Sequence, residues 1–360
     1  MAVVQVRATS EVEAIYRVGV LACTALLLAV SGCATSPFAT SSSGAFEPAS
    51  ASATPIPSAT AAPSAPVHDL AGHILYAHTV GMDEHITFIA NADGTDERQV
   101  AQAGVLSPDR TRFLLFMPDS PNSATGTAAT IGVDGEGYAL IPLRDPTLNL
   151  VPQTWAPDGI RVAFEGWDAS HPGRNGIYTA RVADGGDIVR VTSHEGPHDI
   201  PADYSPDGTK IVFFRSAVLE PAPWDLGGAL WIVYVDGSDA RRIETPGMMP
   251  SPGAQWSPDG TRILFSTARA QDTGALWTVD ADGSNLTRIF QDSDPKYAHG
   301  RYAAGPIWSP DGSQIMFVLN PMADWFTHPA NGIYVINADG TGLAEVIRDS
   351  AFKTLVDWWP

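Results

Sequence analysis

The sequence predicts an all-β protein, a six-bladed β-propeller, and three observations support this prediction. The segment "WSPDGTRILFST", residues 256–267, recurs with small changes as "WSPDGSQIMFVL", "YSPDGTKIVFFR", "WAPDGIRVAFEG" and "LSPDRTRFLLFM". A second turn motif, "ADG" or "VDG", alternates with the first along the chain. The two ends of the repeated region carry complementary halves of one repeat.

Both motifs indicate turns between short strands. In "SPDG", proline presets φ at the second turn position, aspartate suits the third and glycine suits the fourth. Apolar residues alternate after the motif, as at Ile263 and Phe265, which is typical of a strand. "ADG" lies between strand-like runs such as "ALWTVD" and "LTRIF", and its glycine suits a hairpin turn. One repeat therefore predicts four strands, named A to D in chain order.

The length of the repeat and the closure of the chain fix the number of blades. The first turn motif begins at residues 107, 156, 205, 257 and 309, and four antiparallel strands in about 50 residues are typical of a propeller blade. "HILYAHTV" resembles a strand B without a strand A before it, and "TLVDWWP" at the end of the chain resembles a strand A without a strand B. Pairing these two strands completes six blades and removes an exposed sheet edge.

An aromatic residue precedes the turn at a fixed place in most repeats. We expect this position to pack in the core between blades, because it recurs with the fold and not with any one loop. The residues concerned are Trp155, Tyr204, Trp256, Trp308 and Trp358.

The string "W-S-P-D-G-x-x-I-x-F", repeated in register over about residues 70–360, resembles the WD40-like PD40 repeat of TolB-type six-bladed propellers. This resemblance implies periplasmic protein–protein association, although TolB also has an N-terminal α/β domain. The related propellers of dipeptidyl and prolyl oligopeptidases carry a hydrolase domain. This sequence contains no G-x-S-x-G nucleophile motif, so we do not expect serine peptidase activity.

The net charge narrows the possible partners. Acidic residues outnumber basic residues by 40 to 21, which gives a formal charge of −19. Such a charge argues against a basic surface for nucleic acid, and we expect no nucleic-acid partner.

The two cysteines, Cys23 and Cys33, both lie near the N-terminus, so the repeated region holds no disulfide framework. We expect a monomer that uses no cofactor.

Residues 1–33 are predicted to form a lipoprotein signal peptide. The apolar run at residues 18–30 follows Arg17 directly and has the length of a signal-peptide h-region. It ends in "VSGC", which resembles a bacterial lipobox, and this predicts lipidation of Cys33. The alternative is an ordinary signal peptide, or an unprocessed anchor, with an incidental cysteine.

Residues 34–67 are predicted to form a disordered tether between the signal peptide and the propeller at residues 68–360. The segment is rich in Ala, Ser, Pro and Thr, as in "SASATPIPSATAAPSAP", and cannot bury enough apolar surface to fold. The protein is therefore predicted to be exported and anchored by lipid to the cell membrane or outer membrane. Its propeller would face the periplasm or the cell exterior.

The predicted topology separates turns from irregular loops. If strand A is innermost, the A–B and C–D turns share one face, and the B–C and D–A loops share the other. The D–A loops lead into the innermost strand and should rim the central channel. The candidate ligand-binding residues at this mouth are His194, His198, Asp199, His299, Arg301 and Tyr302, with Trp224, Trp325 and Phe326 further out on the same face.

Three interpretations of these residues compete. They could form a recognition surface for a protein or a cell-wall glycan, since adaptable loops over a rigid scaffold are common binding surfaces. His198, Asp199 and His299 could instead ligate a metal, as histidines do on the propeller of oligogalacturonate lyase, a likeness of architecture only. The third interpretation is purely structural. We favour a binding or scaffold module over a metal-dependent polysaccharide lyase or hydrolase.

Overall fold

The computed structural model shows the predicted six-bladed propeller, in which every blade is a four-stranded antiparallel sheet. It describes residues 70–360 except for the segments 81–83, 101–103, 120–124, 144, 146, 169, 194–197, 217–227, 268–273, 294–300, 322–330 and 350–351. The predicted signal peptide at 1–33 and the tether at 34–67 lie outside the described residues. Within the described residues, no helix is long and apolar enough to cross a membrane.

The strands follow one another in chain order around the ring, with a single 3-10 turn at Pro172–Arg174 among the described residues. Their bounds are β1 His73–Val80, β2 Glu84–Asn91, β3 Arg98–Val100, β4 Val105–Leu106, β5 Arg112–Pro118, β6 Gly126–Gly132, β7 Ala139–Leu140, β8 Asn149–Trp155, β9 Arg161–Trp167, β10 Gly176–Arg181, β11 Val189–Arg190, β12 Asp199–Tyr204, β13 Lys210–Ser216, β14 Gly228–Tyr234, β15 Arg241–Arg242, β16 Pro250–Trp256, β17 Arg262–Thr267, β18 Leu276–Asp280, β19 Thr287–Phe290, β20 Arg301–Trp308, β21 Gln314–Pro321, β22 Asn331–Asn337, β23 Ala344–Asp349 and β24 Phe352–Trp359.

The ring closes by pairing the last strand with the first. Blade 1 has the order β24-β1-β2-β3, in which Ile74 lies opposite Trp358. Blades 2 to 6 each use four consecutive strands, beginning with β4, β8, β12, β16 and β20. Residues from all six innermost strands line a central channel. The predicted strand order and closure are confirmed.

The aromatic residues before the turns lie in the core between blades, as predicted. Trp155, Tyr204, Trp256, Trp308 and Trp358 are only 5–7% exposed. The indole of Trp155, for example, packs in one cluster with side chains of blades 2 and 3. Its Nε1 also donates a hydrogen bond of 3.1 Å to the Val105 carbonyl of blade 2. These positions are therefore structural.

The aspartate of the first motif stabilises its own turn. Asp259 Oδ1 accepts hydrogen bonds from Ser257 Oγ at 2.6 Å, Thr261 N at 3.0 Å and Thr261 Oγ1 at 2.8 Å. The Ser257 hydroxyl and the Thr261 groups hold the pKa of Asp259 below its ordinary value. Gly260 follows at φ +71°, a conformation that favours glycine. The motif is a local folding signal.

The turns and the irregular loops lie on opposite faces. The turn face carries the A–B and C–D turns, and the loop face carries the B–C and D–A connections. The chain enters blade 1 from the turn face, where the Ala71 carbonyl accepts a 2.9 Å hydrogen bond from Trp358 Nε1. The Gly72 carbonyl accepts another, of 2.8 Å, from Ala92 N.

Candidate functional site

The channel mouth on the loop face was predicted to hold the binding residues. Of these, the structure describes His198, Asp199, Arg301 and Tyr302. The others lie outside the described residues, namely His194, His299, Trp224, Trp325 and Phe326. Each of the four described residues lies at the beginning of an innermost strand or directly before it.

Asp199 is held in a buried ion pair at the start of β12. Its carboxylate is 1% exposed and accepts hydrogen bonds from Arg215 Nε at 2.6 Å and Arg215 Nη2 at 2.7 Å. Thr192 Oγ1 donates a third hydrogen bond at 2.7 Å. The guanidinium of Arg215 also lies 4.5 Å from the ring centre of Trp231. Since both carboxylate oxygens of Asp199 are engaged, this residue ties β12 to β13 and positions the loop before it.

His198 connects blade 4 to blade 3. Its Nδ1 lies 2.5 Å from Glu165 Oε1, and its ring meets that of Trp167 edge-on at 6.5 Å. The hydrogen bond with Glu165 raises the pKa of His198, against the opposing effect of burial, and the charge of Asp199 raises it further. The imidazole side chain keeps 27% of its exposure. It therefore offers a partly exposed cation at the mouth once it is protonated.

Arg301 makes a second buried ion pair, at the start of β20. Arg301 Nη2 donates to Asp292 Oδ1 at 2.8 Å and Arg301 Nε donates to Asp292 Oδ2 at 3.1 Å, while both side chains are below 10% exposed. The Tyr334 ring lies 5.7 Å from the guanidinium. The neighbouring Tyr302 is partly exposed, and its hydroxyl accepts a 3.4 Å hydrogen bond from Asn320 Nδ2. Arg301 is thus a positioning residue, and Tyr302 is the more accessible of the two.

The described residues give no support to a metal site. Among them, no three His, Cys, Asp or Glu side chains are grouped so that they could hold a metal ion. Asp199, one of the three predicted ligands, would have to leave Arg215 before it could bind a metal. His299 lies outside the described residues, so the metal interpretation stays a hypothesis.

The channel itself holds polar residues that were not predicted as site residues. A cavity of about 410 Å³ runs between the innermost strands and is lined by Asp203, Gln255 and Asp357, among others. Each of these three residues directly precedes the aromatic residue of its turn. A charged or amide side chain directly before the aromatic residue of an innermost strand was therefore the sequence signal that could have identified them.

Two of these channel residues link neighbouring blades. Asp203 Oδ2 accepts a hydrogen bond of 2.9 Å from the backbone N–H of Trp256 in blade 5. Gln255 Oε1 accepts one of 3.3 Å from the backbone N–H of Trp308 in blade 6. Burial raises the pKa of Asp203 to about 7, and the negative charge of Asp357 contributes to this rise. The channel therefore holds a carboxyl that is partly protonated near neutral pH.

Comparison with known proteins shows the fold of the chain. No protein-family model matches it. A TolB structure from Agrobacterium tumefaciens superposes with a TM-score of 0.51 at 19% identity, covering 80% of this chain and 99% of that chain. An oligogalacturonate lyase in complex with manganese superposes with a TM-score of 0.51 at 14% identity, covering 78% of this chain and 75% of that chain. TolB-like propellers are thus among its structural neighbours, and identities this low establish the fold alone.

One curated relative is similar over part of its length. The "Uncharacterized peptidase YuxL" of Bacillus subtilis is 27% identical over 134 residues, which are 37% of this chain. The matched segment is 18% of that relative. Because the chain spans about a fifth of the relative's length, the name of the relative assigns no activity to this protein.

Proposed function

We propose that this chain is an exported, lipid-anchored propeller that binds a protein or a cell-wall glycan at the cell envelope through its loop face. The observation that carries this proposal is the pair of buried ion pairs, Asp199–Arg215 and Arg301–Asp292, at the loop-face ends of β12 and β20. They fix the strand ends into which the connections before β12 and β20 lead. Variable loops that depart from rigid strand ends are a common architecture of binding surfaces.

The direction in which the chain enters the propeller supports this proposal. The residues before β1 lie on the turn face, beside Trp358 and Ala92. A lipid on Cys33 would therefore be connected, through the tether at residues 34–67, to the turn face of the propeller. The loop face would carry no attachment to the membrane and would stay open to partners in the periplasm or outside the cell.

The predicted binding residues divide into two roles in this proposal. His198 and Tyr302 are partly exposed, so we assign them to partner contact. Asp199 and Arg301 are buried in ion pairs, so we assign them to positioning. We propose the remaining predicted residues as further contacts, because histidine and aromatic side chains are frequent at binding surfaces: His194, His299, Trp224, Trp325 and Phe326.

The anchor is tested by metabolic labelling with an alkyne fatty acid. We expect the wild-type chain to be labelled and to sediment with membranes, and we expect Cys33→Ala to lose the label. Cys23→Ala is the matched control, since that cysteine lies within the predicted apolar run. Labelling that persists in Cys33→Ala would contradict the assignment of Cys33.

The binding face is tested by photo-crosslinking in intact cells. A photoreactive amino acid replaces Tyr302 on the loop face or, as the matched control, Thr261 on the turn face. We expect adducts from position 302 and few from position 261. A discrete adduct band indicates a protein, whereas a smear removed by a cell-wall hydrolase indicates a glycan. Equal adducts from both positions would contradict a binding site on the loop face.

A further inference from the structure

One turn on the turn face departs from the repeat in its backbone. Blade 2 has Arg110 at the fourth position of the first motif, with a φ of +62° in the left-handed region. A residue with a Cβ atom is strained in this conformation, and such strain persists only where the surrounding structure holds it. The other four turns of this kind have glycine at the same position, with φ between +69° and +71°: Gly159, Gly208, Gly260 and Gly312.

The side chain of Arg110 reaches the last strand of the ring. Its guanidinium forms an ion pair with the Asp357 carboxylate of β24, and the two side chains are 33% and 23% exposed. The guanidinium also lies 5.6 Å from the ring centre of Trp359, and its Nη1 donates a 3.4 Å hydrogen bond to the Ser107 carbonyl of its own turn. The other carboxylate oxygen of Asp357 accepts a 2.8 Å hydrogen bond from the backbone N–H of Trp358. Arg110 therefore joins the turn of blade 2 to the C-terminal part of β24.

Blade 1 differs from the other blades in how its first two strands are joined. In blades 2 to 6 a turn connects strand A to strand B, whereas β24 and β1 come from distant parts of the chain and are held together by noncovalent contacts. Trp359 stacks on His73 of β1 at 5.8 Å, and a Cβ atom at Gly72 would lie 2.1 Å from the Trp359 carbonyl oxygen. Because no turn fixes this end of β24, it should open more easily than the corresponding end of the other innermost strands unless another contact holds it.

The residue that faces this turn position differs from blade to blade. The position packs against the preceding blade, as at Gly260, where an added Cβ atom would lie 3.6 Å from Pro206 Cδ. By the same relation, Arg110 faces Asp357, which directly precedes the aromatic residue of the preceding strand A. The residues at the corresponding position before the other four turns are Val105, Thr154, Asp203 and Gln255. Arginine thus occurs where the preceding blade offers a carboxylate, and Asp203, which faces Gly260, is the one other place among these turns where the same pairing could be made.

We propose that Arg110 is a latch that holds β24 in the ring. The ion pair with Asp357 and the contact with Trp359 offset the strain of the left-handed arginine, and they fix the end of β24 that no turn joins to β1. The latch lies on the turn face, where the entering chain packs against the same end of β24 through the Ala71 carbonyl and Trp358 Nε1. It is independent of the function proposed for the loop face.

The test is hydrogen–deuterium exchange of the full-length chain, read by mass spectrometry. We expect Arg110→Ala to speed exchange in peptides of β24 about tenfold, because alanine keeps the strained backbone but loses both contacts. Peptides of β16, in blade 5, are the internal control and should exchange at the wild-type rate. Asp357→Asn should speed exchange in β24 of the wild type and have little further effect in Arg110→Ala. Unchanged exchange in Arg110→Ala, or the same effect of Asp357→Asn in both backgrounds, would overturn the proposal.

Arg110→Gly separates the latch from the strain. Glycine adopts the left-handed conformation freely, so exchange in β24 should be about fivefold slower than in Arg110→Ala. It should still be faster than in the wild type, since the contacts with Asp357 and Trp359 are lost. Slower exchange than in the wild type would mean that Arg110 is only a tolerated departure from the repeat.

A second latch can be built in blade 5. Gly260→Arg places an arginine at φ +71° in front of Asp203. We expect the new cation to lower the pKa of Asp203 below its value of about 7, measured by NMR titration of the carboxyl carbon. Gly312→Arg is the matched control, because it introduces the same strain in front of the uncharged Gln255 and should leave the pKa of Asp203 unchanged. An unchanged pKa in a folded Gly260→Arg variant would contradict the relation between turn and facing residue on which the latch rests.

Discussion

Asp203 gives the sharpest test of the energetics of the channel. This carboxyl lies in the channel wall and accepts a hydrogen bond from the backbone N–H of Trp256. Asp203→Asn keeps the size of the side chain and an acceptor oxygen but removes the ionisable group. Gln255, at the corresponding position of blade 5, shows that an amide oxygen can accept the same hydrogen bond, from Trp308. The substitution therefore changes the charge and leaves the packing almost unaltered.

The magnitude follows from the pKa. Burial raises the pKa of Asp203 from 3.8 to about 7, a rise of about 3 units, and each unit is worth about 1.4 kcal/mol. Because the folded pKa is above the unfolded one, the contribution of Asp203 to stability is fully present below about pH 4 and is lost as the pH rises through about 7. The asparagine variant has no such loss. At pH 8 we expect Asp203→Asn to be more stable than the wild type by about 2–4 kcal/mol, since water in the channel reduces the full effect.

The assay is urea unfolding of both chains at pH 5 and pH 8, followed by tryptophan fluorescence. The advantage of Asp203→Asn should grow by about 1–3 kcal/mol between the two pH values. Gln255→Glu is the matched converse, because it places a new carboxyl at the corresponding position of blade 5. That variant should lose stability at pH 8 and much less at pH 5.

Two results would refute this reasoning. One is the same pH dependence of unfolding in the wild type and in Asp203→Asn. The other is an asparagine variant less stable than the wild type at pH 8. Either result would mean that the carboxyl is well solvated in the channel, or that its negative charge is stabilised there by groups such as the nearby cation of Arg110.

Two further predictions concern the loop face. Arg215→Met leaves the Asp199 carboxylate buried without its ionic partner, so the unfolding free energy measured in urea should fall by about 3–5 kcal/mol. Arg181→Met is the control, because it breaks an exposed ion pair and should have little effect. Similar losses in both variants would contradict the assignment of Asp199 to a buried ion pair. Glu165→Gln removes the main cause of the raised pKa of His198, so NMR should show the imidazole titrating at lower pH. In the wild type, the ion pair of His198 adds stability that is present below pH 6.5 and lost as the pH rises through the raised pKa. This contribution to stability should decrease in the variant. An unchanged titration of His198 would show that Glu165 is not its partner.

The fold was predictable because its signals are local. Each turn carries its own chemistry, as Asp259 and Gly260 show, and that chemistry recurs at a regular spacing. Strand alternation around Ile263 and Phe265 then gives the faces of the sheet. The closure of blade 1 required only that the first and last repeats be incomplete in complementary ways. None of these steps depends on contacts between distant side chains.

The candidate site was less predictable because it depends on such contacts. The topology predicted that Asp199 and Arg301 lie at the channel mouth, but not that ion pairs engage them. Arg215 lies directly opposite Asp199 across the β12–β13 hairpin, so this partner follows only once the register is known. Asp203 was not predicted at all, because its burial arises from six strands closing around one channel. A pattern of residues along one strand does not report that enclosure.

Because the sequence is repeated, each blade can nevertheless be compared with the other five. All six blades have the same four-stranded architecture, so a residue that departs from the repeat must be compensated by packing in the neighbouring blade or leave a space. Leu106 departs from the aromatic pattern, and Trp359 occupies the position of the usual serine and packs against it. Ala156 and Tyr204 depart together at the boundary of blades 3 and 4, where both pack in one buried cluster. A departure from the repeat in one blade is therefore best interpreted together with the residue that faces it in the next blade.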